Sequence, residues 1–217
     1  MAIMIAMVYM STNIAGYPRR PLAEVAEIFT GLASARRAAH AEDESTTVAL
    51  VNVRDLDDGR VASLEQLETR PVPRDYSADR YRIREGDVLV TCRGTQLKVA
   101  RVTGNAHGAV MSSNLIGIRT GPDLLSPVLF AFLRSRRGEA ALLARSRSST
   151  LSLALSPKSV GQIEVPVPPI EVQQQIAELV SAAEENYVAA LGAAEQRRTV
   201  AHEVANNLLT GEPAARS

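Results

Sequence analysis

An α+β body built on a mixed or antiparallel twisted sheet with flanking helices, followed by one long helix of the coiled-coil type, is the fold class this sequence predicts. Three observations point to it. Short β-branched runs separated by Gly, Asp and Asn turns occupy residues 19 to 165. Prolines at 166, 168 and 169 then stiffen an extended segment, because proline has no amide proton and holds its predecessor in β or polyproline geometry. Directly after them Ile176, Leu179, Val180, Ala183, Tyr187, Ala190, Leu191, Ala194, Ala201, Val204, Ala205 and Leu208 recur every three to four residues, the stripe of a helix that buries one face. The expected divisions are an N-terminal extension (1–16), the body (17–168), the helix (169–210) and a tail (211–217).

Taken in order, residues 21 to 31 read as a short helix or turn leading into a strand, and 32 to 46 as an exposed loop. Val48 to Val53 is a β-branched strand, and Asp57-Asp58-Gly59-Arg60 is a hairpin turn in which Asp is expected on backbone grounds. Pro71 to Ser77 reads as irregular. Tyr81 to Arg84 alternates, Glu85-Gly86-Asp87 turns, and Val88 to Val90 is a buried strand that Arg93-Gly94-Thr95 breaks. Val99 to Val102 resumes a strand, Asn105 to Gly108 turns, and Met111 to Ile118 forms another. Ser126 as N-cap and Pro127 in the first turn start one helix running through Leu143, with arginines opposite its apolar face. A polar loop (146–150), a short helical turn at Ser156-Pro157-Lys158 and a last strand, Ile163 to Val167, complete the body.

A chain of 217 residues with 46% hydrophobic content can bury a substantial core. One cysteine, Cys92, excludes an internal disulfide framework and fits a reducing, cytoplasmic compartment, with the side chain in the core of its strand. His40, His107 and His202 lack metal-ligand spacing, so no metal is expected. The apolar run Ala2 to Met10 lacks the basic region of a signal peptide and is about half the length of a membrane span. It reads as a strand or loosely held extension, and no membrane partner is expected. The zero net charge conceals an asymmetry: residues 1–165 carry 21 Lys+Arg against 17 Asp+Glu, and residues 166–217 carry 3 against 7. That is weaker than the basic excess of an isolated nucleic-acid domain. Only Lys98 and Lys158 are lysine; the arginines suit phosphate and guanine recognition, or reflect codon bias in a GC-rich genome. No phosphate loop, methyl-donor motif or nuclease carboxylate cluster is evident, so a non-catalytic protein without cofactors is expected.

Several short motifs occur in one order: Leu22-Ala23-Glu24-Val25-Ala26-Glu27-Ile28 with Gly31, Val51-Asn52-Val53-Arg54-Asp55-Leu56, Gly86-Asp87-Val88-Leu89-Val90 with Arg93-Gly94, Ser113-Asn114-Leu115, Leu155-Ser156, Ile163-Glu164-Val165-Pro166, and Pro168-Pro169-Ile170 with Gln173 and Ile176. Over roughly residues 17 to 210 this order resembles one half of the DNA specificity subunit of type I restriction-modification systems. Such subunits carry two target recognition domains, each followed by a long helix, and the helices pack antiparallel. The resemblance implies a target recognition domain (17–168), a dimerisation or spacer helix (169–210), double-stranded DNA and a modification methyltransferase as partners, and a restriction or translocase subunit as an optional one. Two departures matter. The family commonly has Glu where this chain has Val172, which removes a hydrogen-bonding side chain from the junction. There is also one recognition domain and one helix, so a homodimer reading a bipartite, palindromic site and directing a DNA adenine methyltransferase is expected. The alternative is a protein-interaction or anti-restriction factor that binds the methyltransferase through the helix without reading DNA.

Candidate DNA contacts follow from side-chain chemistry. Arg93, Thr95, Gln96 and Lys98 lie in a glycine-broken loop after a buried strand, where mixed donors can approach a groove; a solvated hairpin loop is the plain alternative. Arg134, Arg136, Arg137, Arg145 and Arg147, interleaved with Ser148 and Ser149, form the densest basic stretch and suit a phosphate backbone, against a simple solvated helix face. Ser113 and Asn114 either read bases or start a strand, and Arg54 beside Asp55 reads as structural. Ile176, Leu179, Val180, Ala183, Tyr187, Leu191, Ala194, Val204 and Leu208 form the candidate dimerisation stripe. A helix over 171–209 spans about 58 Å at about 1.5 Å per residue, too long and too striped to stand alone in water.

Overall fold

The computed structural model describes residues 16–32, 45–73, 79–146 and 152–210. The N-terminal extension up to residue 15, most of the expected 32–46 loop, the candidate contacts Arg147, Ser148 and Ser149, and the tail 211–217 lie outside the described residues. In chain order the elements are β1 (Arg19–Pro21), α1 (Leu22–Val25), β2 (Ala26–Thr30), β3 (Ser45–Val51), β4 (Leu56–Asp57), β5 (Arg60–Val61), β6 (Glu68–Pro73), β7 (Val88–Thr91), β8 (Arg93–Gly94), β9 (Val99–Arg101), β10 (Val110–Met111), β11 (Leu115–Thr120), α2 (Ser126–Arg134), α3 (Arg136–Arg145), β12 (Leu153–Ala154), α4 (Pro157–Gly161), β13 (Glu164–Pro166) and α5 (Ile170–Thr210). This is the α+β body and long terminal helix that the sequence predicts.

A six-stranded sheet, ordered β2-β11-β7-β9-β5-β4, organises the body. It is mixed: β5 runs parallel to β9, and the other neighbours are antiparallel. The central strand β7 is buried at all four positions, which explains its unbroken apolar run. Period-two geometry sends Val88 and Val90 to one face, into a core with Ile116, Ile118, Leu129 and Leu133, and Leu89 to the other, with Ile83, Ala100 and Met111. Asp87 enters this core only 1% exposed, because the Arg119 guanidinium meets its two carboxylate oxygens at 2.9 and 2.8 Å and the Arg84 amide donates to it at 2.8 Å. Paired and hydrogen-bonded, the charge is tolerated there.

Three expectations are corrected. Residues 68–73, partly read as irregular, form β6; the strand lies at the edge of the sheet β10-β3-β6, where Pro71 and Pro73 break no central ladder. The single strand expected over 111–118 is two, β10 and β11, separated by a turn at Ser113-Asn114. The single helix expected from Ser126 to Leu143 is likewise two. Ser135 takes an extended conformation (φ −71°, ψ 158°) and caps α3 by accepting a hydrogen bond from the Gly138 amide at 3.2 Å. The second helix starts so close to the end of the first that a Cβ on Gly138 would lie 2.1 Å from the Phe132 carbonyl oxygen. Ser126 does not cap α2; its hydroxyl bonds to the Gly86 carbonyl instead.

Candidate nucleic-acid interface

At one end of the central sheet, three segments meet around a single residue. β7 ends at Thr91, opposite Leu115. The next amide, of Cys92, donates to the Asn114 carbonyl at 2.9 Å, and the Cys92 carbonyl accepts from the Leu155 amide at 3.0 Å. Immediately afterwards Arg93 and Gly94 pair as β8 with Ala154 and Leu153 of β12. The Cys92 main chain therefore joins the Arg93–Lys98 loop, the Ser113-Asn114 turn and the 153–155 segment into one rim, and the Ser113 amide brings Leu32 to it through a 2.8 Å bond to the Leu32 carbonyl. The Cys92 thiol is buried, donates to the Ser113 carbonyl at 3.4 Å, and has its pKa pushed up by burial. Its role is packing, as the sequence predicts.

Arg93, Thr95, Gln96 and Asn114 are exposed on this rim, and Ser113 is half-buried. Gly94 sits at φ 132°, a backbone angle that favours glycine, so the turn that presents Thr95 and Gln96 needs it. Lys98 does something else. Its ammonium donates to the Val53 and Leu56 carbonyls at 3.3 and 2.6 Å, tying the base of the loop to the start of β4 and the turn that precedes it.

The basic stretch divides. Arg134 turns toward the body, bonding the Asp58 carboxylate at 2.8 Å, lying 3.8 Å from Glu184 and stacking over Phe130. Arg145 is held by the Gln162 side chain at 2.9 Å and its carbonyl at 3.2 Å. Arg136 and Arg137 are exposed and form no ion pair among the described residues. Arg54 bridges Asp55 and Glu68, as a structural residue would.

The dimerisation stripe also divides. Ile176 and Val180 pack on the body's own core, against the expectation that they are free for a second copy, and Tyr187 lies under Arg60. Their helix turns face α2, which leaves Leu179, Ala183, Leu191, Ala194, Val204 and Leu208 exposed. At the helix base, Gln173 is 2% exposed and uses its whole amide: the oxygen accepts from the Leu125 amide at 2.8 Å, and the nitrogen donates to the Asp123 and Pro168 carbonyls at 2.9 Å each. The junction is thus hydrogen-bonded in spite of Val172. Composition carries no sign of this role; only the place of Gln173 beside the prolines hints at it. Among the described residues no group of His, Cys, Asp and Glu is arranged to hold a metal ion, and no helix is long and apolar enough to cross a membrane.

No protein-family profile and no curated protein matches the chain. Solved structures do. The HsdS subunit from Thermoanaerobacter tengcongensis superposes with a TM-score of 0.57 over 94% of this chain and 52% of its own, at 21% sequence identity. The type I restriction-modification S subunit from M. genitalium gives a TM-score of 0.62 over 94% of this chain and 48% of its own, at 15% identity. The fold is that of a type I S subunit. The type IIG restriction endonuclease BpuSI shares it less fully, with a TM-score of 0.54 over 82% of this chain and 28% of its own, at 11% identity. The chain spans about half the length of the S subunits it matches.

Proposed function

We propose that this chain is a half-length, non-catalytic DNA specificity subunit. The carrying observation is the S-subunit fold combined with the polar rim that exposed Arg93, Thr95, Gln96 and Asn114 and half-buried Ser113 form around Cys92. In this reading the rim meets base edges, Arg93 and Gln96 supplying side chains able to bond bidentately to guanine and adenine. Arg136 and Arg137 grip phosphates, and the exposed half of α5 joins a second copy. The dimer reads two inverted half-sites and presents them to a DNA adenine methyltransferase, which supplies the chemistry; a restriction subunit is an optional third partner.

Sequencing the methylome of cells that carry the cognate methyltransferase tests this reading. Wild-type protein is expected to direct modification of one bipartite palindromic motif, and Gln96→Ala to relax the preference at one position in each half. A bidentate contact contributes about 1–3 kcal/mol of discrimination. An identical motif at lower occupancy places Gln96 off the bases, and no motif with wild-type protein removes the DNA-reading function. Arg136→Ala with Arg137→Ala is expected to weaken specific and random DNA alike, and to lower the log–log salt slope by roughly 0.9 for each phosphate the protein no longer neutralises. An unchanged slope in a binding titration assigns both arginines to solvent.

A further inference from the structure

The hairpin turn between β4 and β5 has a feature that the DNA rim does not require. Asp58 adopts φ 40° and Gly59 φ 83°, the left-handed pair that an Asp-Gly hairpin turn uses. A Cβ on Gly59 would lie 2.2 Å from Arg134 Nη1 and 2.9 Å from Phe130 Cζ, so the turn is pressed against α2. Arg134 bonds both the side chain of Asp58, at 2.8 Å, and its carbonyl, at 3.4 Å, while approaching Glu184 of α5. Arg60 stacks over the Tyr187 ring at 5.1 Å, one helical turn beyond Glu184 on α5. The neighbouring Tyr187 hydroxyl and the Arg134 guanidinium hold the Asp58 carboxyl below its ordinary range. The turn, the end of α2 and the middle of α5 thus meet at Arg134, which lies between Asp58 and Glu184, with Arg60 over Tyr187 beside it.

Exposed ion pairs contribute little to stability one at a time. Their consequence here is directional. The helix is clamped at Gln173 and packed at Ile176 and Val180, all within its first three turns, and the Asp58 cluster is the next point of attachment. From Val180 to Thr210 the helix runs about 45 Å at about 1.5 Å per residue, so a swing of ~10° about Val180 moves the far end by ~8 Å. That is more than two base pairs at about 3.4 Å each. We propose that Arg60 and Arg134 are positioning residues: by stacking over Tyr187 and pairing with Glu184 they latch α5 in one direction and thereby set the spacing between the two half-sites that a pair of these chains reads. The spacing part rests on the DNA-reading dimer proposed above; the latch itself does not.

The experiment separates the two. Spin labels at Arg84→Cys on the body and Glu203→Cys on the helix, both exposed positions, are placed in one copy, which is diluted into excess unlabelled full-length protein. Pulsed dipolar spectroscopy then reads the body-to-helix distance. A single narrow distance is expected for wild type, and a distribution broadened by several ångströms for Arg60→Gln with Glu184→Gln. Glu184→Gln alone, which keeps the size of the side chain and removes the charge facing Arg134, decides the matter if the double variant folds poorly. An unchanged narrow distance overturns the latch. In the methylome, the unlatched variant is expected to keep both half-sites and accept spacers one or two base pairs longer or shorter. A broadened distance with an unchanged spacer overturns the link to spacing. Absence of any bipartite motif with wild-type protein overturns the DNA-reading function and the spacing role together, and leaves the latch to the distance measurement.

Discussion

Replacing Gln173 by methionine is expected to lower the stability of the protein by about 3 kcal/mol, although the new side chain is similar in length and more apolar. Gln173 satisfies the Leu125 amide and the Asp123 and Pro168 carbonyls from a position 2% exposed. Methionine fills the space and leaves these groups without partners. An unsatisfied buried group costs roughly 1–3 kcal/mol, and water relieves part of that at the exposed Asp123. For a chain of this size the loss corresponds to a fall in melting temperature of roughly 6–12 °C. Thermal and urea unfolding followed by circular dichroism measure it. A melting temperature within a degree of wild type means that Ile176 and Val180 hold the helix base by apolar contact alone. Glutamate in place of glutamine keeps one acceptor and loses the two N–H donations, while burying a charge, so it is expected to be worse than methionine.

The contrast between Gln173 and its surroundings shows which parts of this molecule can be read from sequence. Periodicity identifies β7, because a strand buried on both faces is an unbroken apolar run, and it identifies α5, because a long helix repeats its stripe many times. The Asp58-Gly59 turn was legible for a related reason: its residue types are those the left-handed backbone accepts. The break at Ser135 was not. Residues 128–143 keep a helical pattern through the break, which comes where Ser135 turns extended and caps the next helix, and the apolar periodicity does not register it. Side-chain allegiance was less legible still. Arg134 and Arg136 are two residues apart in one basic stretch, yet one is drawn into the body by Asp58 and Glu184 and the other stays exposed. Lys98 belongs by sequence to the glycine-broken loop, and it bonds carbonyls more than forty residues away. Charge in a sequence indicates capacity for contact; the partner depends on the fold.

The helix that leaves the body gives the largest expected effect. Val204→Glu with Leu208→Glu should convert the proposed dimer to monomers. Tyr187, Ala194, Ala201 and Leu208 fall at seven-residue intervals, with Ala190 and Val204 between them, so one seam continues from the body-facing part of α5 to its end. Ile176 and Val180, earlier on the same repeat, are covered by the body; farther along, Tyr187, Val204 and Leu208 are 40%, 50% and 80% exposed. In a pair of antiparallel helices the two substitutions place four glutamates in the seam and remove four apolar side chains, each contributing about 1.5–3 kcal/mol when fully buried. Even half of that raises the dissociation constant by roughly a hundredfold or more. Leu209→Glu is the control, since Leu209 is 88% exposed yet lies about 100° around the helix from Leu208, off the seam. Sedimentation velocity at micromolar concentration is expected to show wild-type and Leu209→Glu dimers and a monomeric double variant. Monomeric wild-type protein removes self-assembly through this helix. Equal disruption by Leu209→Glu and by the seam variant means that the partner covers a different face.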